Sequence, residues 1–193
     1  MHTFLEETIQ YLTKEHGDLS QLTIILPSKR AGGFLLNYLK KQALSTSFAP
    51  KIISIETFIE SVSDLQIIDP TALLFKSYET YLKLDSIPEK ESFDTYITWA
   101  ATLLGDFNEI DRYLLDTHLF FNYLNDIQDL NHWYLRDDKT PLIEKYLAFW
   151  NSLHEFYKTL KDSLLKDHLG YQGLVYRKAA EDISHYMEAN QST

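Results

Sequence analysis

The sequence of 193 residues contains no cysteine. Disulfide bonds, thiolate zinc sites, cysteine-ligated iron–sulfur clusters and cysteine nucleophiles are therefore excluded for this chain. Long apolar runs are also missing, because no segment approaches the ~18 uninterrupted apolar residues that a membrane-spanning helix needs. The N-terminal segment carries Glu6, Glu7 and Glu15, unlike the basic start of a signal peptide. We expect a cytoplasmic protein in a reducing compartment.

Glycine is scarce, with only six in the chain, and none of them begins the pattern Gly-x-x-x-x-Gly-Lys-Ser/Thr. That pattern supplies the backbone amides that surround a nucleotide phosphate. We therefore expect no ATP binding by such a loop and no cofactor in this chain.

Motifs that bind metals or carry out catalysis are absent as well. The seven histidines include no His-x-x-x-His or His-Glu-x-x-His pair that would place two imidazoles on one helical face. Asp106, Glu109 and Asp111 lie close together in a helical pattern, which we interpret as a solvated face. Asp137–Lys139 has the spacing of a nuclease half-motif but falls in a polar connector rather than on a strand. The sequence predicts no catalytic residue and no metal site.

The composition that remains is typical of a folded domain, with 45% hydrophobic, 14% aromatic and 24% charged residues. The net charge of −10 is unevenly distributed. Residues 86–138 hold three basic and eleven acidic side chains, whereas residues 1–50 hold five basic and four acidic ones. Because a strongly acidic surface repels phosphates, only the first part of the chain is eligible for nucleic-acid contact.

The first part of the chain alternates between helical and strand patterns. A short apolar run at Leu22–Leu26, ended by Pro27, predicts a strand buried on both faces, and Lys51–Ile55 predicts a second strand. Amphipathic helical patterns precede, separate and follow these two strands. The alternation predicts a small parallel sheet with crossover helices.

From Pro70 onward the pattern is helical throughout. We expect five helices in this part, with a polar connector at 129–140 and the strongest helical periodicity at Leu142–Leu165. The predicted fold class is α/β, mostly α: a partial RecA-like α/β subdomain at 1–66, followed by a helical subdomain at 67–193.

The most suggestive segment for ligand contact lies between the first strand and the second helix. We expect a turn from Ser28 to Gly33, where helix-terminal amides attract anions and Ser28, Lys29 and Arg30 add donors and positive charge. Ligands of parallel α/β folds bind at this end of the strands. In the alternative interpretation Ser28 caps the helix, Gly32 and Gly33 permit tight packing, and the two cations are solvated. The sequence leaves both interpretations open.

The three tryptophans are further candidates, because indole rings can stack on nucleic-acid bases. Trp99 and Trp150 fall on the apolar stripes of their helices, so we expect them in the core. The pattern around Trp133 does not constrain its position.

Four segments of the chain, in this order and at compatible spacing, resemble the N-terminal region of the large PD-(D/E)XK nucleases of Bacteroidetes. These nucleases are similar to the AddB subunit of helicase–nuclease complexes. The segments are Leu22–Gly32, Lys51–Ile59, Glu91–Leu114 and Leu169–Arg177.

The resemblance implies a degenerate superfamily 1 helicase-like region, made of a partial RecA-like sheet and a helical insertion. It also implies that Ser54–Phe58, which includes Glu56 and Thr57, matches the turn that approaches single-stranded DNA in related helicases. The chain would then be the N-terminal part of a longer enzyme whose C-terminal nuclease lies outside it.

Two functions are therefore open. In the first, the chain is a non-catalytic part of an AddB-like ATP-dependent DNA helicase/exonuclease in double-strand break repair and recombination. It would bind DNA, weakly when alone, or dock an AddA-like helicase partner subunit, and it would have no membrane partner. In the second, it is a stand-alone acidic helical module that binds a basic protein.

Overall fold

The computed structural model describes residues 3–16, 18–42, 48–87, 89–131 and 141–191. Helices dominate and the strands are short and parallel, so the predicted class of α/β, mostly α, is confirmed. The elements in chain order are α1 (Phe4–His16), β1 (Thr23–Leu26), α2 (Lys29–Gln42), β2 (Lys51–Ser54), α3 (Ile55–Ser63), β3 (Gln66–Ile67), α4 (Pro70–Leu82), α5 (Phe93–Arg112), α6 (Thr117–Asn131), α7 (Pro141–Lys166), β4 (Leu169–Gly170) and α8 (Gln172–Gln191).

The chain forms two compact units, unit 1 ending at Ser61 and unit 2 beginning at Val62. The division thus falls inside α3, whereas the sequence pattern places it after residue 66. The reason lies in β3, which pairs with β4 more than a hundred positions later in the chain and so belongs to the helical unit.

Unit 1 is built on the parallel pair β1 and β2, in which Thr23 is opposite Lys51 and Leu26 is opposite Ser54. The predicted pairing of these two strands is confirmed. The small core of the unit consists of Ile9 from α1, Leu26 from β1 and Leu35 from α2.

The prediction that the first strand is buried on both faces is wrong. Ile24 and Leu26 contact the core, but Ile25, which points to the other side of the strand, remains 39% exposed. Both α1 and α2 contribute to the core on the face of Ile24 and Leu26.

The predicted turn from Ser28 to Gly33 is also corrected. Helix α2 begins at Lys29, so Ala31, Gly32 and Gly33 lie in its first turns. Ser28 supplies the reason, because its side chain caps the helix and starts it five residues before the predicted apolar stripe at Phe34.

Unit 2 is a helical assembly around one aromatic-rich core. Helix α4 begins as expected at Pro70, where Asp69 accepts hydrogen bonds from the amides of Thr71 and Ala72.

The predicted connector at 129–140 begins later than expected, because α6 continues to Asn131; residues 132–140 lie outside the described residues. The largest fully buried aromatic side chains are Tyr81, Tyr96, Phe107 and Phe156.

Candidate functional site

Both candidate segments of unit 1 start at the same edge of its sheet. Because β1 and β2 are parallel and Leu26 pairs with Ser54, the carboxyl ends of the strands lie side by side. Two residues separate Leu26 from the first residue of α2, and α3 begins directly after Ser54. The structure therefore places the beginnings of these two helices at one edge.

Ser28 engages the start of α2 itself. Its Oγ accepts a hydrogen bond from the amide of Ala31 at 3.3 Å, and its carbonyl oxygen accepts from the amide of Gly32 at 3.4 Å. Ser28 is therefore an N-cap residue, and two amides near the helix start are already bonded within the chain.

The two glycines differ in their surroundings. A Cβ at Gly32 would lie 3.2 Å from Cγ2 of Ile52, so Gly32 allows α2 to approach β2 closely. A Cβ at Gly33 would meet nothing within 4 Å, and packing gives no reason for a glycine at this position. Lys29 and Arg30, just before them, are both exposed.

The start of α3 carries a negative charge, whereas the start of α2 carries positive charges. Ser54 is buried, and its Oγ accepts from the amide of Thr57 at 3.2 Å and lies 3.1 Å from the hydroxyl of Thr57. Glu56 is exposed in the first turn, where its carboxylate matches the positive end of the helix dipole but repels a phosphate. Of the two helix starts, only that of α2 has the charge that suits an anion.

Unit 2 contains a polar cluster that the sequence pattern does not reveal. Asp111 on α5 is fully buried and accepts hydrogen bonds from the hydroxyls of Tyr157 at 2.6 Å and Tyr171 at 2.5 Å. Nε of Arg177 on α8 lies 2.6 Å from the same carboxylate. The interpretation of Asp111 as part of a solvated face is therefore wrong, whereas Asp106 and Glu109 are exposed as expected.

The electrostatics of this cluster indicate a structural role. Burial raises the pKa of Tyr157 and of Tyr171, and the neighbouring Asp111 carboxylate raises both further. Both phenols therefore remain protonated donors at neutral pH, while Arg177 balances the charge of the carboxylate. The two tyrosines therefore serve as hydrogen-bond donors that hold the buried Asp111 carboxylate in place.

The same region joins two of the four segments on which the family resemblance rests. The side chain of Asn108 accepts a hydrogen bond from the amide of Gly173 at 2.7 Å. Arg177 donates to the carbonyl oxygens of Ile110 at 3.1 Å and Leu115 at 2.7 Å, near the end of α5. These two segments thus contact each other and fix the packing of α8 on α5.

Between α5, α6 and α7 lies an apolar cavity of about 690 Å³ that opens to solvent. We call it the α5–α6–α7 groove. Its main apolar side chains are Trp99, Leu103, Phe120, Leu124, Phe149 and Trp150.

The tryptophans of this groove are part of the packed structure. Nε1 of Trp99 donates to the carboxylate of Glu91 at 2.8 Å, and its ring contacts those of Tyr96 and Phe149 edge-on. Trp150 also packs against the main core, so both tryptophans are partly buried against the core rather than inside it. Trp133 and Asp137–Lys139 lie outside the described residues.

Within the described ranges, no group of three or more histidine, aspartate or glutamate side chains is arranged to hold a metal ion. In the same part of the chain, no helix combines the length and apolarity needed to cross a membrane. Comparison of the sequence with protein-family models and with curated proteins finds no match.

Proposed function

We propose that this chain is the non-catalytic, helicase-like N-terminal part of an AddB-like helicase–nuclease that acts in double-strand break repair and recombination. Unit 1 contacts the DNA backbone at the start of α2, and the chain also docks an AddA-like helicase subunit. The observation that carries the proposal is the position of Lys29 and Arg30. They lie in the first turn of α2, at the edge where two parallel strands end.

This role requires binding and no chemistry from the chain itself. Exposed cations at a helix start attract phosphate, and Gly33 leaves open space beside the backbone there. The parent enzyme would be a cytoplasmic PD-(D/E)XK deoxyribonuclease, with nucleotide hydrolysis supplied by the partner subunit. The proposed contact needs no cofactor in this chain.

The second candidate, a stand-alone module that binds a basic protein, is favoured by the apolar groove and its acidic rim in unit 2. The two candidate functions predict different lengths for the reading frame that encodes the chain. A reading frame of about a thousand residues that ends in a nuclease motif, beside a helicase gene, supports the first. A reading frame that ends near Thr193 supports the second.

The DNA contact is tested by single-strand binding across a range of salt concentrations. Each phosphate contact that is lost lowers the slope of log affinity against log salt by about 0.7. We expect Lys29→Ala/Arg30→Ala to lower that slope and to weaken binding. Fluorescence anisotropy at low salt suits the weak affinity expected of so acidic a chain.

The matched control is Lys40→Ala/Lys41→Ala, which removes the same charge from the last turn of the same helix. We expect this variant to keep most of the wild-type slope. Identical curves for the wild type and Lys29→Ala/Arg30→Ala would contradict the proposed contact.

A further inference from the structure

Large apolar side chains stay exposed on the elements that line the α5–α6–α7 groove. Tyr113 lines the groove and is 69% exposed. On α6, which lines the groove through Phe120 and Leu124, both Leu119 and Tyr123 are 66% exposed. Exposed apolar surface that adjoins a groove is typical of an interaction site.

The charged side chains that line the groove are acidic, although Glu109 also pairs with Arg112 at 3.5 Å. Asp106 and Glu109 on α5 line it and are both exposed, and the described lining residues include no lysine or arginine. The segment 86–138, to which α5 and α6 belong, contains eleven acidic and only three basic residues. This rim disfavours nucleic acid and favours a cationic partner.

We propose that the α5–α6–α7 groove binds a basic amphipathic helix of a protein partner. Apolar side chains of that helix, spaced at i, i+3 or i+4 and i+7, enter the groove, and flanking lysines or arginines face Asp106 and Glu109. A small apolar ligand would use the cavity alone, whereas a helix also covers Tyr113 and the exposed face of α6. This inference rests on the protein-binding role that both candidate functions include, and it is independent of the DNA contact.

The probe is a labelled model peptide of about 18 residues, made of leucine and lysine with helical apolar spacing. Its control has the same composition in an order that destroys the apolar face. We expect the first peptide to bind the full chain at least about tenfold more tightly, since a groove selects for an apolar stripe. Binding is measured by fluorescence anisotropy at moderate salt, where non-specific attraction is screened.

The location of the site is tested with two neighbouring exposed positions on α5. Thr102 lines the groove, and Thr102→Arg adds bulk and positive charge there; Ala101 does not line it, and Ala101→Arg adds the same side chain outside. We expect Thr102→Arg to weaken peptide binding about tenfold or more and Ala101→Arg to change it less than about twofold. Circular dichroism confirms that both variants are folded.

A further variant separates this inference from the DNA role. Lys29→Ala/Arg30→Ala, which is designed to weaken DNA binding, is expected to leave peptide binding unchanged. The inference is overturned if both peptides bind equally, if neither binds, or if Thr102→Arg and Ala101→Arg have the same effect.

Discussion

At the scale of single residues, His154 on α7 shows how packing controls protonation. Its ring stacks on Phe121 at 5.0 Å between centroids and meets the ring of His118 edge-on at 6.1 Å. Burial lowers the pKa of His154 from its ordinary value of 6.5, and the neighbouring His118 and Lys158 lower it further. The folded chain therefore favours the neutral imidazole.

A dependence of stability on pH follows from this environment. Below pH 6.5 the unfolded chain takes up a proton that the folded chain resists, so the contribution of His154 is complete above pH 6.5 and is lost as the pH falls. We expect the free energy of unfolding to decrease as the pH falls below about 6.5. His154→Phe, which keeps an aromatic ring, should reduce that decrease, as measured by urea unfolding at each pH.

The control for this prediction is His185→Phe, at a largely exposed side chain on α8. We expect it to retain the wild-type dependence on pH. The prediction is wrong if the two variants give the same pH profile.

At the scale of elements, the packing of α8 on α5 depends on contacts that tolerate little change. A Cβ at Gly173 would lie 2.1 Å from the carbonyl oxygen of Asn108, a distance at which only glycine fits. The buried Asp111 carboxylate joins the same two helices to α7 through Tyr157 and Arg177. The core of unit 2 therefore includes a polar centre as well as aromatic packing.

Removing the charge of Asp111 should destabilise this centre. In Asp111→Asn the guanidinium of Arg177 loses its buried counter-charge, and breaking such a pair costs about 3–5 kcal/mol. Urea unfolding measures the loss as a lower midpoint. Asp106→Asn makes the same change at an exposed position of the same helix and should alter stability by less than about 0.5 kcal/mol. Equal midpoints for the two variants would contradict the structural role of Asp111.

The sequence predicts the long elements well, because amphipathic periodicity extends over several turns in α4, α5 and α7. It does not reveal β3 and β4, since strands of two residues are too short to show a period. From its charge we expected Asp111 to lie on a solvated face. Its position nevertheless continues the buried stripe of Ala100, Leu104 and Phe107 at helical spacing. That continuation is the signal that predicts its burial.

The sequence predicted where the serines of the candidate site in unit 1 lie, but not what their hydroxyls bind. Sequence spacing places Ser28 and Ser54 at the ends of two parallel strands, and the register confirms that arrangement. Whether a hydroxyl faces solvent or caps a helix depends on backbone geometry that local sequence does not determine.

At the scale of the whole molecule, the two units differ in the interactions that they can support. Unit 1 combines exposed cations with a small apolar core, and unit 2 combines an acidic rim with an apolar groove. We therefore assign the proposed nucleic-acid contact to the first unit and the proposed protein contact to the second.

The absence of the phosphate-binding glycine pattern leads to a prediction for the intact chain. A ligand that binds the folded state raises the melting temperature, and the rise grows with ligand concentration. We expect Mg-ATP to leave the melting temperature unchanged in differential scanning fluorimetry. A rise that increases with the ATP concentration would contradict this expectation.

The contact at Gly173 also constrains how this protein can change over evolutionary time. Every other amino acid carries a Cβ, so each missense mutation of that codon inserts an atom where the backbone of α5 already lies. At the contact between α8 and α5, only the side chains around Gly173 can therefore vary. We expect related proteins that keep this fold to keep a glycine at this position.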